Sequence, residues 1–286
     1  MQLRHVLHAA IARLEAAELD EPRISAEVLV FHVLRCDRAF LFAHPERELT
    51  SGEQLQYDEL ISRRASGEPL QYLTGHQEFW KADFLVSPAV LIPRPETEHV
   101  VEVVLDLVHH FGMGEGLKIV DVGTGSGAIA ITLARELPGA EVHGTDLSDE
   151  ALEVARSNAQ RLAPGVCFAQ SDVLAGVERD GTYDFVVSNP PYVGLNEADK
   201  VQTVVKDYEP HMAVFAGEQG LDVIRRLIPQ AREALRTGGW LLMEVGYSQS
   251  EAVMTLLSGW HNVHSVPDLA GIPRVVVARK PMGEAV

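Results

Sequence analysis

Apolar residues recur at three- and four-residue spacing through the first 75 positions; from about residue 117 short β-branched runs alternate with helical stretches instead. In the first segment Leu3, Val6, Leu7, Ala10, Ile11 and Leu14 make one face of a helix. Asp20-Glu21-Pro22 ends it, and Pro22 suits the first turn of a second helix carrying Ile24, Val28, Leu29, Phe31, His32 and Val33. Thr50-Ser51-Gly52-Glu53 has the form of a capping box ahead of Leu55, Leu60 and Ile61. A small helical bundle over residues 1–75 is expected, with no catalytic constellation in it.

Between residues 76 and 95 the period falls to two, and Phe79, Lys81, Phe84 and Val86 predict a short hairpin turning near Ala82-Asp83 and joining two domains. Leu91-Ile92-Pro93-Arg94-Pro95-Glu96-Thr97-Glu98 then leads into a helix through about Val108; a rigid linker presenting Arg94 and a plain turn explain its prolines equally well. Beyond it the pattern predicts strands at about 117–122, 141–145, 166–169, 183–188 and 239–245, a closing pair near 261–266 and 273–279, and helices near 127–137, 149–162 and 220–236. That alternation is the signature of a doubly wound parallel sheet. The expected fold class is α/β: a Rossmann-like sheet over 96–286 and an N-terminal helical bundle joined by the β-hairpin.

Composition narrows the function classes. Hydrophobic residues at 46% and charged residues at 23% are ordinary globular values. No apolar run approaches the roughly 18–20 residues of a membrane span, and Met1-Gln2-Leu3-Arg4-His5 lacks the apolar stretch of a signal peptide, so a cytoplasmic protein without a membrane partner is expected. Lysine plus arginine number 24 against 41 acidic residues, a net charge of −17. Such a surface repels phosphate backbones, so nucleic acid is not expected as a direct partner; a basic protein, a small molecule, or solubility alone accounts for the charge. Cys36 and Cys167 lie far apart in apolar contexts and are expected as buried, reduced thiols. The pairs His109-His110 and His261/His264 lack companion ligands at metal-site spacing, so no metal is expected.

Lys118-Ile119-Val120-Asp121-Val122-Gly123-Thr124-Gly125-Ser126-Gly127 runs from a buried strand through a glycine turn into a helix. Such a turn brings backbone amides close to a ligand. Its spacing departs from the dinucleotide fingerprint and lacks the Lys-Ser/Thr of a P-loop. Asp121, ahead of the glycines, opposes a pyrophosphate and suits a cation. Asp146 ends the next strand, where a carboxylate can accept from two ribose hydroxyls. Asp172 follows the third, placed for an adenine amino group. Each aspartate alone is more often a cap or turn residue. Three in register with the glycines describe a site for an adenosine with a zwitterionic, cationic tail, which is S-adenosylmethionine.

Ser188-Asn189-Pro190-Pro191-Tyr192 leaves the fourth strand, Tyr183-Asp184-Phe185-Val186-Val187, as a stiff turn rich in acceptors. There the Asn189 side-chain oxygen and the Pro190 carbonyl are expected to accept the two N–H groups of a planar amine or amide, with the Tyr192 ring against its face. A planar nitrogen keeps its lone pair in conjugation; acceptors that favour a pyramidal nitrogen turn that pair towards a sulfonium methyl, so orientation and electrostatics carry the reaction. Glu244, at a strand end, is explained equally by sheet-edge packing or a turn bond.

Asn189-Pro190-Pro191-Tyr192 resembles the motif of class I amino methyltransferases acting on adenine, cytosine or glutamine nitrogens. Gly67-Glu68-Pro69-Leu70-Gln71-Tyr72-Leu73-Thr74-Gly75, the Leu91 to Glu98 stretch, Tyr208-Glu209-Pro210 and Arg274-Val275-Val276 extend the likeness over the whole chain. It resembles the bacterial protein-(glutamine-N5) methyltransferases that act on peptide chain release factors. The resemblance implies the glutamine of the factor's Gly-Gly-Gln motif as acceptor, with the helical domain helping to dock the factor. It also implies that Gly123, Thr124, Gly125 and Gly127 line the cofactor with Asp121, that Asp146 holds the ribose and Asp172 lies by the adenine. Asn189, Pro190, Pro191 and Tyr192 grip the amide, Asn189 also bordering the cofactor, which leaves as S-adenosylhomocysteine. Val193, Tyr208 and Gln219 stand where Ile, Phe and Asp are usual. The rival readings are a nucleic-acid adenine-N6 methyltransferase, which the charge opposes, and a non-catalytic adenosine-binding module.

Overall fold

In the computed structural model, which describes residues 1–177 and 180–282, the chain forms two units: Met1–His76 with Thr203–Tyr208, and Gln77–Gln202 with Glu209–Val286. The first is helical: α1 (Leu3–Ala16), α2 (Pro22–Leu34), α3 (Arg38–Ala43), α4 (Ser51–Ala65) and α5 (Leu70–Thr74). Thr50 Oγ1 accepts the Glu53 amide at 3.2 Å while a Glu53 oxygen accepts the Thr50 amide at 2.9 Å, the reciprocal cap that starts α4. Leu3, Leu14, Leu29, Tyr57 and Ile61 fill the core, and the buried Tyr57 hydroxyl donates to the Ala26 carbonyl at 3.0 Å. At 6 and 5 residues, α3 and α5 are too short to register as a period. Thr203–Tyr208, which the sequence places within the sheet domain, belongs to this unit, and its Tyr208 hydroxyl donates to the Ser66 carbonyl at 2.8 Å.

The second unit carries the hairpin β1 (His76–Phe79) and β2 (Ala82–Leu85) from Gln77 onward. Its turn is Trp80-Lys81, both at positive φ, and not Ala82-Asp83. A two-residue turn of this hand matches the twist of the strands and leaves Ala82 and Phe84 to be buried on one face of β2. A seven-stranded sheet follows, made of β3 (Lys118–Val122), β4 (Glu141–Asp146), β5 (Cys167–Gln170), β6 (Tyr183–Ser188), β7 (Leu235–Glu244), β8 (His261–Pro267) and β9 (Pro273–Arg279). The spatial order is β5-β4-β3-β6-β7-β9-β8, parallel except for β9, which runs antiparallel to both neighbours. Helices α6 (Glu98–His110), α7 (Ala128–Glu136), α8 (Asp149–Leu162), α9 (the Thr203–Tyr208 helix), α10 (His211–Val214), α11 (Asp222–Ala234) and α12 (Ser250–Leu256) complete the chain.

Strand alternation splits the core in two. Ile119, Phe185, Val187, Trp240, Leu242, Val275 and Val277 pack with Val100, Ile129 and Ile131 on one face. Val120, Val186, Leu241, Met243 and Val276 pack with Ile224, Leu227 and Val253 on the other. Both faces being covered, the central strands read as largely apolar runs, with Asp121 inside β3 and Asp184 inside β6 as exceptions. The chain steps outward from β3 to β5, then returns to β6 beside β3, leaving a crevice at the carboxyl ends of those two strands.

Both thiols are free, but Cys36 is half-buried and Cys167 exposed, against the expectation of burial. Cys167 lies on β5, an edge strand of the sheet, which leaves the side chain exposed. No helix among the described residues is long and apolar enough to cross a membrane.

Candidate active site

At that crevice lies a cavity of about 320 Å³, within the roughly 300–1,000 Å³ of small-molecule sites. Val122, Gly123, Thr124 and Gly125 line it from β3, Asp146 to Ser148 from β4, Ser171 to Val173 from β5, and Ser188 to Pro191 from β6. Apolar walls come from Val90, Leu91, Pro93, Ile129 and Phe215. The structure thus gathers Gly123, Thr124, Gly125, Asp146, Asp172, Asn189, Pro190 and Pro191 around one space.

Three expected residues stand behind the wall. Gly127 has φ of 83°, and a Cβ there would meet Ile131 Cδ1 at 2.8 Å. It lets the turn enter α7 at positive φ and close to Ala155 of α8, whose Cβ a side chain there would meet at 3.4 Å, and it is not among the residues lining the cavity. Asp121 is buried beneath the glycine turn; its Oδ2 accepts from Thr124 Oγ1 at 2.7 Å and from the Ala130 amide at 3.2 Å, while Oδ1 has no partner among the described residues. Burial pushes its carboxyl up to about 7, against the pull of those two donors. Tyr192 is held by its polar ends: the hydroxyl donates to Glu244 Oε1 at 3.3 Å and the carbonyl accepts from Gln249 Nε2 at 2.7 Å. Burial, and then the Glu244 carboxylate, push its phenol upward. It anchors the loop instead of forming the cavity wall.

Asp146 Oδ2 accepts the Gly125 amide at 2.9 Å and Oδ1 the Ser148 amide at 3.0 Å, which locks the carboxylate across the glycine turn. Burial raises its pKa despite those bonds. Asp172, by contrast, is exposed, and both its oxygens accept from Arg226 Nη1 at 2.6 Å. An exposed pair of this kind is worth little stability, about 0–1 kcal/mol.

Several contributors carry no signal in a simple motif. Buried Asn158 on α8 accepts the Leu85 amide at 2.7 Å and donates to the carbonyls of Leu85 and Ser126, each at 2.9 Å, tying β2 to the glycine turn. Glu209 is buried, pairs with Arg94, and accepts the Ile92 amide at 3.3 Å, so Arg94 fastens the cavity wall instead of serving as a free linker residue. Thr97 Oγ1 accepts from Asn189 Nδ2 at 3.0 Å and donates to Glu244 Oε2 at 2.7 Å. One signal was available: Glu244 is a lone acid ending the apolar run Trp240-Leu241-Leu242-Met243.

Comparison with known proteins shows the family to which the chain belongs. A family model described as the PrmC N-terminal domain matches residues 5–75, and one described as the methyltransferase small domain matches 105–213. A release factor glutamine methyltransferase of Koribacter versatilis is 57% identical over 98% of this chain and 99% of its own length. The enzyme of that name from Escherichia coli is 40% identical over 98% and 99%. The chain belongs to the release factor glutamine methyltransferase family.

Among solved structures, the hMettl16 catalytic domain bound to a MAT2A hairpin covers 83% of this chain and 84% of its own, at TM-score 0.55 and 18% identity. A T. thermophilus 16S rRNA methyltransferase solved with AdoMet and guanosine covers 72% of this chain and 49% of its own, at TM-score 0.53 and 21% identity. These share the class I fold. Membership makes the chain a methyltransferase whose cofactor is S-adenosylmethionine, and the residues present fit it. A Cβ at Gly123 or Gly125 would meet no protein atom within 4 Å, leaving open space where the cavity is lined by backbone. The Asp121 oxygen that lacks a partner among the described residues would, on ionising, favour a cationic group nearby, and Asp146 keeps lone pairs for hydroxyls.

Proposed function

We propose that this chain methylates the side-chain amide nitrogen of the glutamine in the Gly-Gly-Gln motif of peptide chain release factors. The observation that carries the reading is the state of Asn189. It lines the cavity, and its amide nitrogen is committed to Thr97, so Oδ1 is the end left to accept from incoming N–H groups. The Pro190 carbonyl beside it provides a second acceptor. Pro190 and Pro191 hold both in a stiff loop.

When bound, S-adenosylmethionine supplies an electrophilic sulfonium methyl and leaves as S-adenosylhomocysteine. Asp146, Asp172 and the backbone of Gly123 to Gly125 would hold it, and Asp121 would ionise beneath it in response to its positive charge. Asn189 and Pro190 accept the amide's two N–H bonds and turn the nitrogen lone pair towards the methyl carbon. As the carbon–nitrogen bond forms, the sulfur–methyl bond would break with its electron pair left on sulfur, and the nitrogen, acidic only then, would lose its proton to water, so no strong base is needed beforehand. Tyr192 fixes the far end of the loop. The helical unit is assigned to docking the factor, the reaction to the cytoplasm, and the acceptor to a protein, which suits a chain of net charge −17 better than nucleic acid does.

Labelled methyl transfer tests this. Wild-type enzyme is expected to label a purified release factor, and not one whose Gly-Gly-Gln glutamine is replaced by alanine; Asn189→Ala should lower kcat on the order of 10²–10³-fold. Labelling of DNA or rRNA in place of the factor would overturn the acceptor.

A further inference from the structure

Glu244 is the last residue of β7, 2% exposed, and both of its oxygens accept a hydroxyl: Oε2 from Thr97 at 2.7 Å and Oε1 from Tyr192 at 3.3 Å. Those hydroxyls lead to the two ends of the Asn189–Tyr192 loop, since Thr97 Oγ1 also accepts from Asn189 Nδ2 at 3.0 Å. An ionised carboxylate can only accept. Thr97, having given it its one proton, has only lone pairs left for Asn189. Asn189 must then present its NH₂ end to Thr97 and its oxygen to the cavity. Nothing intrinsic to asparagine makes that choice, because its terminal torsion is broad and roughly two-fold.

We propose that Glu244 and Thr97 are positioning residues that set the polarity of the Asn189 amide, making it present an acceptor and not a donor to the substrate amide. This rests on the role given to Asn189 under the proposed function. With the chain reversed, Asn189 would point N–H at N–H and lose the acceptor that turns the lone pair. The same carboxylate fixes Tyr192, so both ends of the loop answer to one group.

The arrangement also ties activity to the charge on Glu244. Burial pushes its carboxyl up to about 7, opposed by the Thr97 and Tyr192 hydroxyls and by Arg274 of β9, and aided by Glu96 in the turn before α6. Arg94 and Arg274 act in turn on Tyr192. A protonated Glu244 becomes a donor, which frees Thr97 to reverse. Turnover should therefore decline as pH falls through the Glu244 transition.

The test compares Thr97→Ser, Thr97→Val and Glu244→Gln with wild type, on release factor as acceptor, with kcat, both KM values, cofactor affinity by calorimetry, melting temperature and a pH profile. Ser keeps a hydroxyl that can accept and donate; Val keeps the shape without it. Gln has one accepting and one donating end, so one of the two hydroxyls loses its acceptor and meets a donor instead. The expected results are a kcat for Thr97→Ser within about threefold of wild type, and a fall of about tenfold or more for Thr97→Val and Glu244→Gln with cofactor affinity unchanged within about twofold. In Glu244→Gln the part of the acid limb due to Glu244 should vanish. Wild-type kcat in Thr97→Val and Glu244→Gln, an acid limb unmoved in Glu244→Gln, or an equal loss in Thr97→Ser and Thr97→Val would overturn the inference. An inactive wild type would overturn the assigned acceptor, and this inference with it; unchanged variants beside an active wild type overturn this inference alone.

Discussion

A Cβ placed on Gly220 would stand 2.1 Å from the carbonyl oxygen of Tyr192 and 2.7 Å from Gln249 Nε2. Gly220 also has φ of 72°, so a side chain there is strained as well as obstructed. The clash falls on the hydrogen bond that anchors the loop carbonyl. Gly220→Ala should displace Tyr192, cutting kcat by about tenfold or more and lowering stability by about 1–3 kcal/mol. Steady-state kinetics and thermal melting on the same preparation check both; unchanged kcat would show that the loop does not need this anchor.

Asn158 joins β2, the glycine turn and α8 with three hydrogen bonds from a fully buried side chain. Asn158→Leu removes the partner of one amide and two carbonyls. Because unsatisfied buried groups each cost about 1–3 kcal/mol, a loss of about 3 kcal/mol or more is expected. A fall in the urea midpoint measures it, and a cofactor affinity that weakens in parallel would show the glycine turn loosening with it.

Asp121 gives a pH dependence whose sign follows from its raised pKa. Folding takes up a proton between the unfolded value of 3.8 and the folded value of about 7. Its stabilising contribution is thus full below the lower value and is lost as pH rises through the upper one. Asp121→Asn removes that slope: relative to wild type, the variant should gain stability between pH 5 and pH 8 in cofactor-free protein, by up to a few kcal/mol in order of magnitude. The same variant should bind S-adenosylmethionine more weakly, since it has no carboxyl beneath the turn to ionise in response to the cationic cofactor. Unfolding curves at several pH values, with and without cofactor, read both effects.

The fold was legible because its elements are long and regular. β3, β6 and β9 carry short β-branched runs consistent with strands buried on both faces, and Thr50 to Glu53 spells out its own cap. Gly123 to Gly127 and Asn189 to Tyr192 were legible as sites because each packs unusual chemistry into a few consecutive positions. The hairpin turn was misplaced by two residues because Trp80 and Lys81 adopt positive φ without a glycine to announce it.

Sequence by itself therefore determined the alternation of strands and helices, the glycine turn, the aspartates at the strand ends and the acceptor-rich loop. Each is written within one turn or one strand. Tertiary structure alone decided which of those residues face the cavity. It moved Gly127, Asp121 and Tyr192 behind the wall, and it joined Thr97, Asn189 and Glu244 across 92 and 147 residues of chain. Hydrogen bonds between groups so far apart depend on how β6, β7 and the start of α6 converge. No local periodicity or spacing encodes that convergence, because it is the sheet order, not the neighbouring residues, that brings them within 3 Å.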